Sequence, residues 1–134
     1  MTPASTLPPE STNHASILVV DDEEFLLDLV REILEEVGYK VTALASSVAA
    51  FHLFSAAPSK FDLVVADEKM PGLSGIDLSE QILRIRPDVP VILHTDYSDQ
   101  ESMKRARAIG VKAIVGKSSN MAQLITYIRR LLKS

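Results

Sequence analysis

Residues 17–24 of the chain read ILVVDDEE, four branched apolar residues followed at once by four carboxylates. A short apolar run of this kind is typical of a strand buried on both faces of a parallel sheet. Apolar residues then recur at helical spacing from Leu26 to Val37, and Gly38 supplies a stop signal. The stretch therefore predicts a strand, an acidic turn and a helix in direct succession.

The same alternation of strand and helix continues to the end of the chain. A capping box of Ser98 and Glu101 is expected to start the fourth helix, and Asn120 to cap the fifth. Five such units predict an α/β fold whose parallel sheet is covered by helices on both faces. The further strands are predicted at 41–44, 61–66, 91–93 and 113–115.

The length of 134 residues is that of one domain, and 46% apolar with 24% charged residues is typical of a folded globular protein. Cysteine is absent, which excludes disulfides, thiolate metal sites and a cysteine nucleophile. No apolar run reaches the roughly 18–20 residues that span a bilayer, and no signal-peptide pattern opens the chain. We therefore expect a cytoplasmic protein without a membrane partner.

The first residues differ in composition from the rest. Residues 1–14 hold Pro3, Pro8 and Pro9 among serines and threonines, without apolar periodicity. This composition predicts a disordered leader or linker at 1–14, followed by one domain over 15–134.

Charge is divided unevenly along the chain, whose net charge is −4. Residues 1–99 hold 6 basic and 17 acidic residues, whereas residues 100–134 hold 8 basic residues and 1 acidic residue. Taken alone, this asymmetry is better explained by ordinary solvated surface charge than by a separate binding partner for each part.

Polar residues stand at the ends of the predicted strands. Right-handed crossovers place the carboxyl ends of parallel strands at one rim of the sheet, where open α/β sheets bind ligands. A single aspartate at such a place is more often a helix cap than a ligand, but polar groups at four of the five strand ends indicate a site. These residues are Asp21, Asp22, Asp67, Thr95 and Lys117.

The types of these side chains indicate the chemistry of the site. Carboxylates that converge at one point repel each other unless a cation binds there, and hard oxygen ligands suit Mg²⁺ or Mn²⁺. A lysine adds a second positive charge, and a threonine adds a hydroxyl donor. Together these groups predict a phosphoryl site in which an aspartate can act as nucleophile.

Three motifs carry a resemblance to a known family: ILVVDDEE at 17–24, DLVVADEKMPGLSG at 62–75 and PVILHT at 90–95. With the lysine that ends the fifth strand, they make the chain similar to the response-regulator receiver domains of two-component signalling over residues 16–132. The resemblance implies a flavodoxin-like, doubly wound sheet of five parallel strands in the order 2-1-3-4-5. It also implies a signalling domain rather than an enzyme, with self-catalysed phosphotransfer and autodephosphorylation at most.

The resemblance assigns roles to the residues that would meet the phosphoryl group. Asp67 would accept it from a sensor histidine kinase or a phosphotransfer domain. Lys117 would contact the acyl phosphate, and Thr95 would move to hydrogen-bond the phosphoryl group.

The resemblance also implies a metal site. Asp22, Asp67 and the backbone carbonyl of Lys69 would bind Mg²⁺ (or Mn²⁺), and Asp21 would help through water. Lys69 stands where its side chain would face the solvent side of the phosphoryl group, and we expect it to shield the acyl phosphate. Tyr97 flanks the same entrance and is expected to screen water as well.

Besides Lys69, three further positions near the switch depart from the family pattern. Asp96 stands where the family usually has Ala, Gly or Ser; it could repel a phosphoryl group, pair with Lys69 or point to solvent. Ile114 stands where many receivers have an aromatic residue that swings inward on activation. Ser118 replaces a proline that typically follows a cis bond, and since cis costs about 3–4 kcal/mol over trans before other residues, we expect a trans bond.

These departures leave a second function open, a degenerate receiver that acts as an interaction module without phosphorylation. The intact rim residues favour the phosphorylated receiver. An enzyme on the same fold fits less well, because a flavin or nucleotide site would need a Gly/Ser/Thr-rich loop in place of DDEE. A haloacid-dehalogenase-like phosphatase would need an aspartate where Lys69 stands.

We expect no DNA-binding domain after the predicted fifth helix, and therefore output through protein contact rather than nucleic acid. The usual output and dimerisation face of the family lies on helices 4 and 5, so we expect an output protein or a second copy there. The basic residues of these helices indicate an acidic partner surface. They are Lys104, Arg105, Arg107, Arg129, Arg130 and Lys133.

Overall fold

The structure, a computed structural model, describes residues 14–96 and 99–133. Within these residues, five strands alternate with five α-helices, and a short 3₁₀ turn lies at Pro58–Lys60. The elements are β1 Ser16–Val20, α1 Glu24–Val37, β2 Lys40–Leu44, α2 Ser47–Ala56, β3 Leu63–Ala66, α3 Gly75–Ile85, β4 Val91–His94, α4 Gln100–Ile109, β5 Ala113–Val115 and α5 Met121–Lys133. The predicted leader, except for residue 14, falls outside the described residues, as does Tyr97.

All five strands form one parallel sheet in the order β2-β1-β3-β4-β5. The predicted fold class and strand order are therefore confirmed. No helix in the described ranges is both long and apolar enough to cross a bilayer.

Two apolar clusters cover the two faces of the sheet, because successive side chains of a strand point to opposite faces. Ile17 and Val19 of β1 belong to the cluster that also holds buried residues of α1 and α5. Leu18 and Val20 belong to the other cluster, which is closed by α2, α3 and α4. This division explains why β1 and β3 read as continuous apolar runs in the sequence.

Helix starts were predicted with mixed success. Asn120 caps α5, where its Oδ1 accepts a hydrogen bond from Gln123 N at 3.1 Å. Ser98 of the predicted capping box lies outside the described residues, and the box is wrong as the start of α4, because the capping residue of this helix is Asp99. Its Oδ1 accepts a hydrogen bond from Glu101 N at 3.1 Å.

The carboxyl ends of the strands meet at one rim, and backbone hydrogen bonds fix the residues just beyond them. Asp21 N donates to Leu44 O of β2 at 3.2 Å, and Asp67 N donates to Val20 O of β1 at 3.0 Å. Thr95 N likewise donates to Val115 O of β5 at 2.9 Å. These residues therefore continue the ladder of the sheet, which sets where their side chains begin.

Gly75 allows α3 to start directly against the peptide of Asp67. A Cβ at this position would lie 2.1 Å from Asp67 O and 2.9 Å from Glu68 Cα. The helix start is held there by Gly75 N, which donates to Glu68 O at 2.9 Å. Any side chain at residue 75 would push the Asp67 backbone away from its place in the sheet.

Replacing Gly75 with alanine is therefore expected to lower the free energy of unfolding by about 3 kcal/mol, the upper end of the usual cost of overpacking, because the clash is with backbone. Ser74→Ala is the matched control at the same helix start. It removes only the Ser74 Oγ cap on Asp77 N and should cost about 1 kcal/mol. Urea unfolding of both variants measures the difference, and equal losses would contradict the close packing of α3 on Asp67.

Candidate functional site

Three aspartates converge at the rim, as the sequence predicts. Carboxylate oxygens of Asp21, Asp22 and Asp67 all lie within 4.8 Å of one another. Asp21 and Asp67 are buried, whereas Asp22 is exposed. The cluster therefore exposes one carboxylate to solvent and holds two buried carboxylates at the end of the sheet.

The Lys117 side chain enters this cluster. Its Nζ lies 2.9 Å from Asp21 Oδ2, 3.1 Å from Asp67 Oδ2 and 2.5 Å from Glu23 Oε1. The side chain is only 11% exposed. The ammonium therefore offsets part of the negative charge that the strand ends bring together.

Backbone donors hold the other carboxylate oxygens. Glu23 N donates to Asp21 Oδ1 at 2.9 Å, and Glu68 N donates to Asp67 Oδ1 at 2.8 Å. The Oδ1 atoms of Asp21 and Asp67 are thus satisfied by the chain, and their Oδ2 atoms point to Lys117. This pattern fixes the rotation of both carboxylates.

Burial and charge act in opposite directions on the ionisation of these groups. Burial raises the pKa of the Asp21 carboxyl, although the hydrogen bonds from Glu23 N and Lys117 oppose this shift. For Lys117, burial alone would lower the pKa, but the carboxylates of Glu23, Asp21 and Asp67 outweigh it and hold the pKa well above its usual range. The lysine therefore stays charged at neutral pH.

An open cavity of about 420 Å³ lies over the cluster. Thr95, buried just after β4, and the exposed Lys69 both line it. Most of the predicted site residues therefore share one cavity. Its lining residues are Asp22, Glu23, Asp67, Lys69, Thr95, Asp96 and Lys117.

Asp96 and Ser118, two of the departures from the family pattern, contact each other. Asp96 Oδ1 accepts hydrogen bonds from both Ser118 N and Ser118 Oγ, each at 3.0 Å. The hydrogen bond from Ser118 N is the main reason that the pKa of the Asp96 carboxyl lies below its usual value. This contact was not among the outcomes considered for Asp96 from the sequence.

The remaining departures are also placed by the structure. No peptide bond in the described ranges is cis, so the bond between Lys117 and Ser118 is trans, as predicted. Ile114 is half-buried and packs against the cluster closed by α2, α3 and α4.

Two residues of the site were missed from the sequence. Glu23 was noted only as part of the acidic run, yet it holds Lys117. Ser47 is not among the predicted site residues, yet its buried Oγ donates to Pro71 O and accepts from Leu73 N, both at 3.0 Å. Ser47 thereby ties the start of α2 to the loop that follows Asp67. No sequence signal distinguishes Ser47 from its neighbour Ser46, which caps the same helix.

Comparison with known proteins gives a consistent result. The response regulator receiver domain family matches residues 17–129. The transcriptional regulatory protein YvrH of Bacillus subtilis is 33% identical over 121 residues, which are 90% of this chain and 50% of that protein. The chain thus spans about half the length of the curated relatives it matches.

Solved structures of the same class superimpose closely. A response regulator receiver domain protein from Clostridium thermocellum gives a TM-score of 0.83 at 32% identity, covering 89% of this chain and 94% of that one. A CheY-like receiver domain protein from Methanospirillum hungatei gives a TM-score of 0.85 at 29% identity, covering 90% and 94%.

Replacing Lys117 with methionine should lower the free energy of unfolding by about 1–3 kcal/mol at pH 7 in the absence of divalent cations, because it leaves partly buried carboxylates unpaired. Burial already raises the pKa of the Asp21 carboxyl in the folded state, and loss of the opposing Lys117 ammonium should raise it further. The loss should therefore shrink as the pH falls through this raised pKa toward the ordinary aspartate value of about 4, and vanish below it, where the carboxyl is protonated in both states.

Urea unfolding at pH 7 and pH 4.5 tests this expectation. Lys104→Met, on the exposed side of α4, is the matched control and should change little at either pH. A Lys117→Met loss that is equal at the two pH values would contradict the charge compensation described above.

Proposed function

This chain belongs to the response regulator receiver domain family, and we propose that it accepts a phosphoryl group on Asp67 and signals by contact with another protein. The donor would be a sensor histidine kinase or a phosphotransfer domain. The observation that carries the proposal is the carboxylate of Asp67, aligned with the Lys117 ammonium at 3.1 Å and beside Asp21 and Asp22. Receiver domains are signalling domains rather than classical enzymes, so any self-catalysed transfer or autodephosphorylation is part of this proposal.

The donor set of the rim fits a small divalent cation. Asp21, Asp22 and Asp67 each offer an oxygen within 4.8 Å of the others, and hard oxygen ligands with room for water are what Mg²⁺ and Mn²⁺ prefer. We assign Asp22, Asp67 and the backbone carbonyl of Lys69 as direct ligands, with Asp21 acting through water. Such a cation would neutralise charge on the phosphoryl oxygens.

The residues of the chain perform the remaining chemistry. Asp67 Oδ1 is held by Glu68 N, so Oδ2 is the oxygen that would attack phosphorus as the phosphorus–nitrogen bond of phosphohistidine breaks. The released imidazole takes up a proton. Lys117 would exchange its carboxylate contacts for the phosphoryl oxygens, and Thr95 would donate its hydroxyl to them. Transfer would thus depend on positioning and charge neutralisation.

The lifetime of the acyl phosphate would depend on access of water to the cavity. Lys69 is exposed and lines this cavity, and we propose that its side chain shields the phosphoryl group. Tyr97 keeps the same proposed role, although it lies outside the described residues.

A degenerate receiver is the second candidate function. Ile114 favours it, because no aromatic residue stands at this position to swing inward when Asp67 is phosphorylated. The cluster of Asp21, Asp22 and Asp67 around Lys117 favours the first candidate, since a module that is no longer phosphorylated has no need to hold these charges together.

We propose α4 and α5 as the contact face for an output protein or a second copy. Arg105 departs from the surface expected there, because its Nη2 lies 2.9 Å from both Asp77 Oδ1 and Glu80 Oε1 of α3. It joins α3 to α4, and an acidic partner would have to compete for it. The basic residues Lys104, Arg107, Arg129, Arg130 and Lys133 are exposed.

Incubation with phosphoramidate and Mg²⁺ should add the mass of one HPO₃ group to the chain, measured by intact mass spectrometry. Asp67→Asn should abolish the gain, because an amide cannot form the acyl phosphate. Asp88→Asn, at an exposed aspartate away from the rim, is the matched control and should keep it. Absence of the gain in the wild type, with Mg²⁺ binding intact, would favour the degenerate receiver.

Mg²⁺ should also stabilise the fold without any phosphoryl donor. At ten times its dissociation constant, it is expected to raise the free energy of unfolding by about 1.4 kcal/mol. Asp22→Asn should remove most of this increment, whereas Asp28→Asn on the exposed side of α1 should retain it. Thermal unfolding with and without Mg²⁺ makes the comparison, and an equal increment in both variants would argue against the assigned ligands.

A further inference from the structure

Asp96 and Ser118 each directly follow a residue of the proposed phosphoryl site. Asp96 follows Thr95 at the end of β4, and Ser118 follows Lys117 beyond the end of β5. Their hydrogen bonds therefore join the two loops that carry the threonine and the lysine. We call the pair the 96–118 clasp.

The clasp closes a compact turn. Ser119 N donates to Gly116 O at 3.1 Å, which folds the chain back just after β5. Asp96 Oδ1 sits so close over this turn that a Cβ at Gly116 would lie 3.1 Å from it. Next to the clasp, Thr95 N donates to Val115 O at 2.9 Å. The backbone bond at Thr95 and the clasp at Asp96 therefore join the ends of β4 and β5 at two consecutive residues.

The chemistry of the clasp requires both substitutions. A proline at residue 118 would have no N–H to donate, and an alanine or glycine at residue 96 would have no side-chain acceptor. Serine supplies a backbone donor and a hydroxyl donor to the same carboxylate oxygen. Two positions that look like separate departures in the sequence thus form one interaction.

We propose that the 96–118 clasp is a positioning device that holds the backbone of Lys117 against the carboxylate cluster and fixes its distance from Thr95. This inference rests on the proposed function and extends it to two residues that do not touch the phosphoryl group. Ser118, which follows Lys117 through a trans peptide bond, holds the Lys117 loop in place by its hydrogen bonds to Asp96. Phosphorylation of Asp67 should then be fast only while the clasp is closed.

A different role for Asp96 would be purely electrostatic. Its carboxylate lines the cavity and could slow phosphorylation by repelling the incoming phosphoryl group. The two roles predict opposite signs: loss of Asp96 slows the reaction if the clasp positions Lys117, and speeds it if the charge repels. Asn at residue 96 separates them, because its amide oxygen can accept the same hydrogen bonds without the charge.

The first arm of the test compares rates of phosphorylation by phosphoramidate at saturating Mg²⁺ and donor. Asp96→Ala and Ser118→Pro should each slow the reaction about fivefold or more, as expected for loss of hydrogen bonds to a charged group. Asp96→Asn and Ser118→Ala, which keep an acceptor and the backbone donor respectively, should stay within about twofold of the wild type. The double variant Asp96→Ala/Ser118→Pro should be no slower than the slower single variant, because both remove one shared interaction.

A structural defect is distinguished by Mg²⁺ affinity, which the clasp variants should keep because Asp21, Asp22 and Asp67 are unchanged. A wild-type rate for Asp96→Ala, or a faster one, would overturn the proposal. So would an Asp96→Asn variant that is as slow as Asp96→Ala, or a loss of Mg²⁺ affinity that parallels the loss of rate.

The second arm needs no phosphorylation and therefore separates failure of the clasp from failure of the proposed function. In ¹H–¹⁵N spectra of the unphosphorylated protein, the Ser118 amide proton should resonate downfield in the wild type and in Asp96→Asn, and move upfield in Asp96→Ala. An unchanged Ser118 resonance in Asp96→Ala would overturn the clasp itself. A chain that shows the shift but takes no phosphoryl group would retain the clasp and lose the proposed function.

Discussion

The rim of the sheet depends on one interaction, the insertion of the Lys117 ammonium among the carboxylates that end β1 and β3. The parallel register of these strands brings Asp21 and Asp67 to the same level, and like charges repel more strongly where burial removes water. The ammonium lies within 3.1 Å of both and offsets that repulsion. Under the proposed function, the Lys117 ammonium also lies where the negative charge of a phosphoryl group on Asp67 would develop.

Much of this arrangement could be predicted because a parallel sheet constrains its own strand ends. Once five apolar runs alternate with helical patterns, right-handed crossovers bring the residues after each run to one rim. Asp21, Asp67, Thr95 and Lys117 were found in this way without knowledge of any distance. A positive partner for the aspartates was also predictable from charge, since a cluster of acids requires a cation.

Other details of the fold and of the site could not be predicted, for identifiable physical reasons. In α1, the run FLLDLV offers an apolar residue at almost every angle, and the structure buries Leu27 and Val30 while leaving Leu29 38% exposed. At α4, Ser98 and Asp99 are adjacent possible caps, and the spacing rule selected the wrong one. The bonds of Ser47 and of the 96–118 clasp join loops distant in sequence, and short polar side chains in loops carry no periodicity that would reveal their partners.

Under the proposed function, the charge-compensated cluster directs phosphoryl chemistry to Asp67 and to no neighbouring acid. Borohydride reduces an acyl phosphate to an alcohol, so a phosphorylated aspartate is converted permanently to homoserine. After treatment with acetyl phosphate and Mg²⁺, reduction and peptide mapping should locate homoserine at residue 67, with Asp21 and Asp22 intact. Homoserine at residue 21 or 22, or an unmodified Asp67, would show that the cluster does not select Asp67.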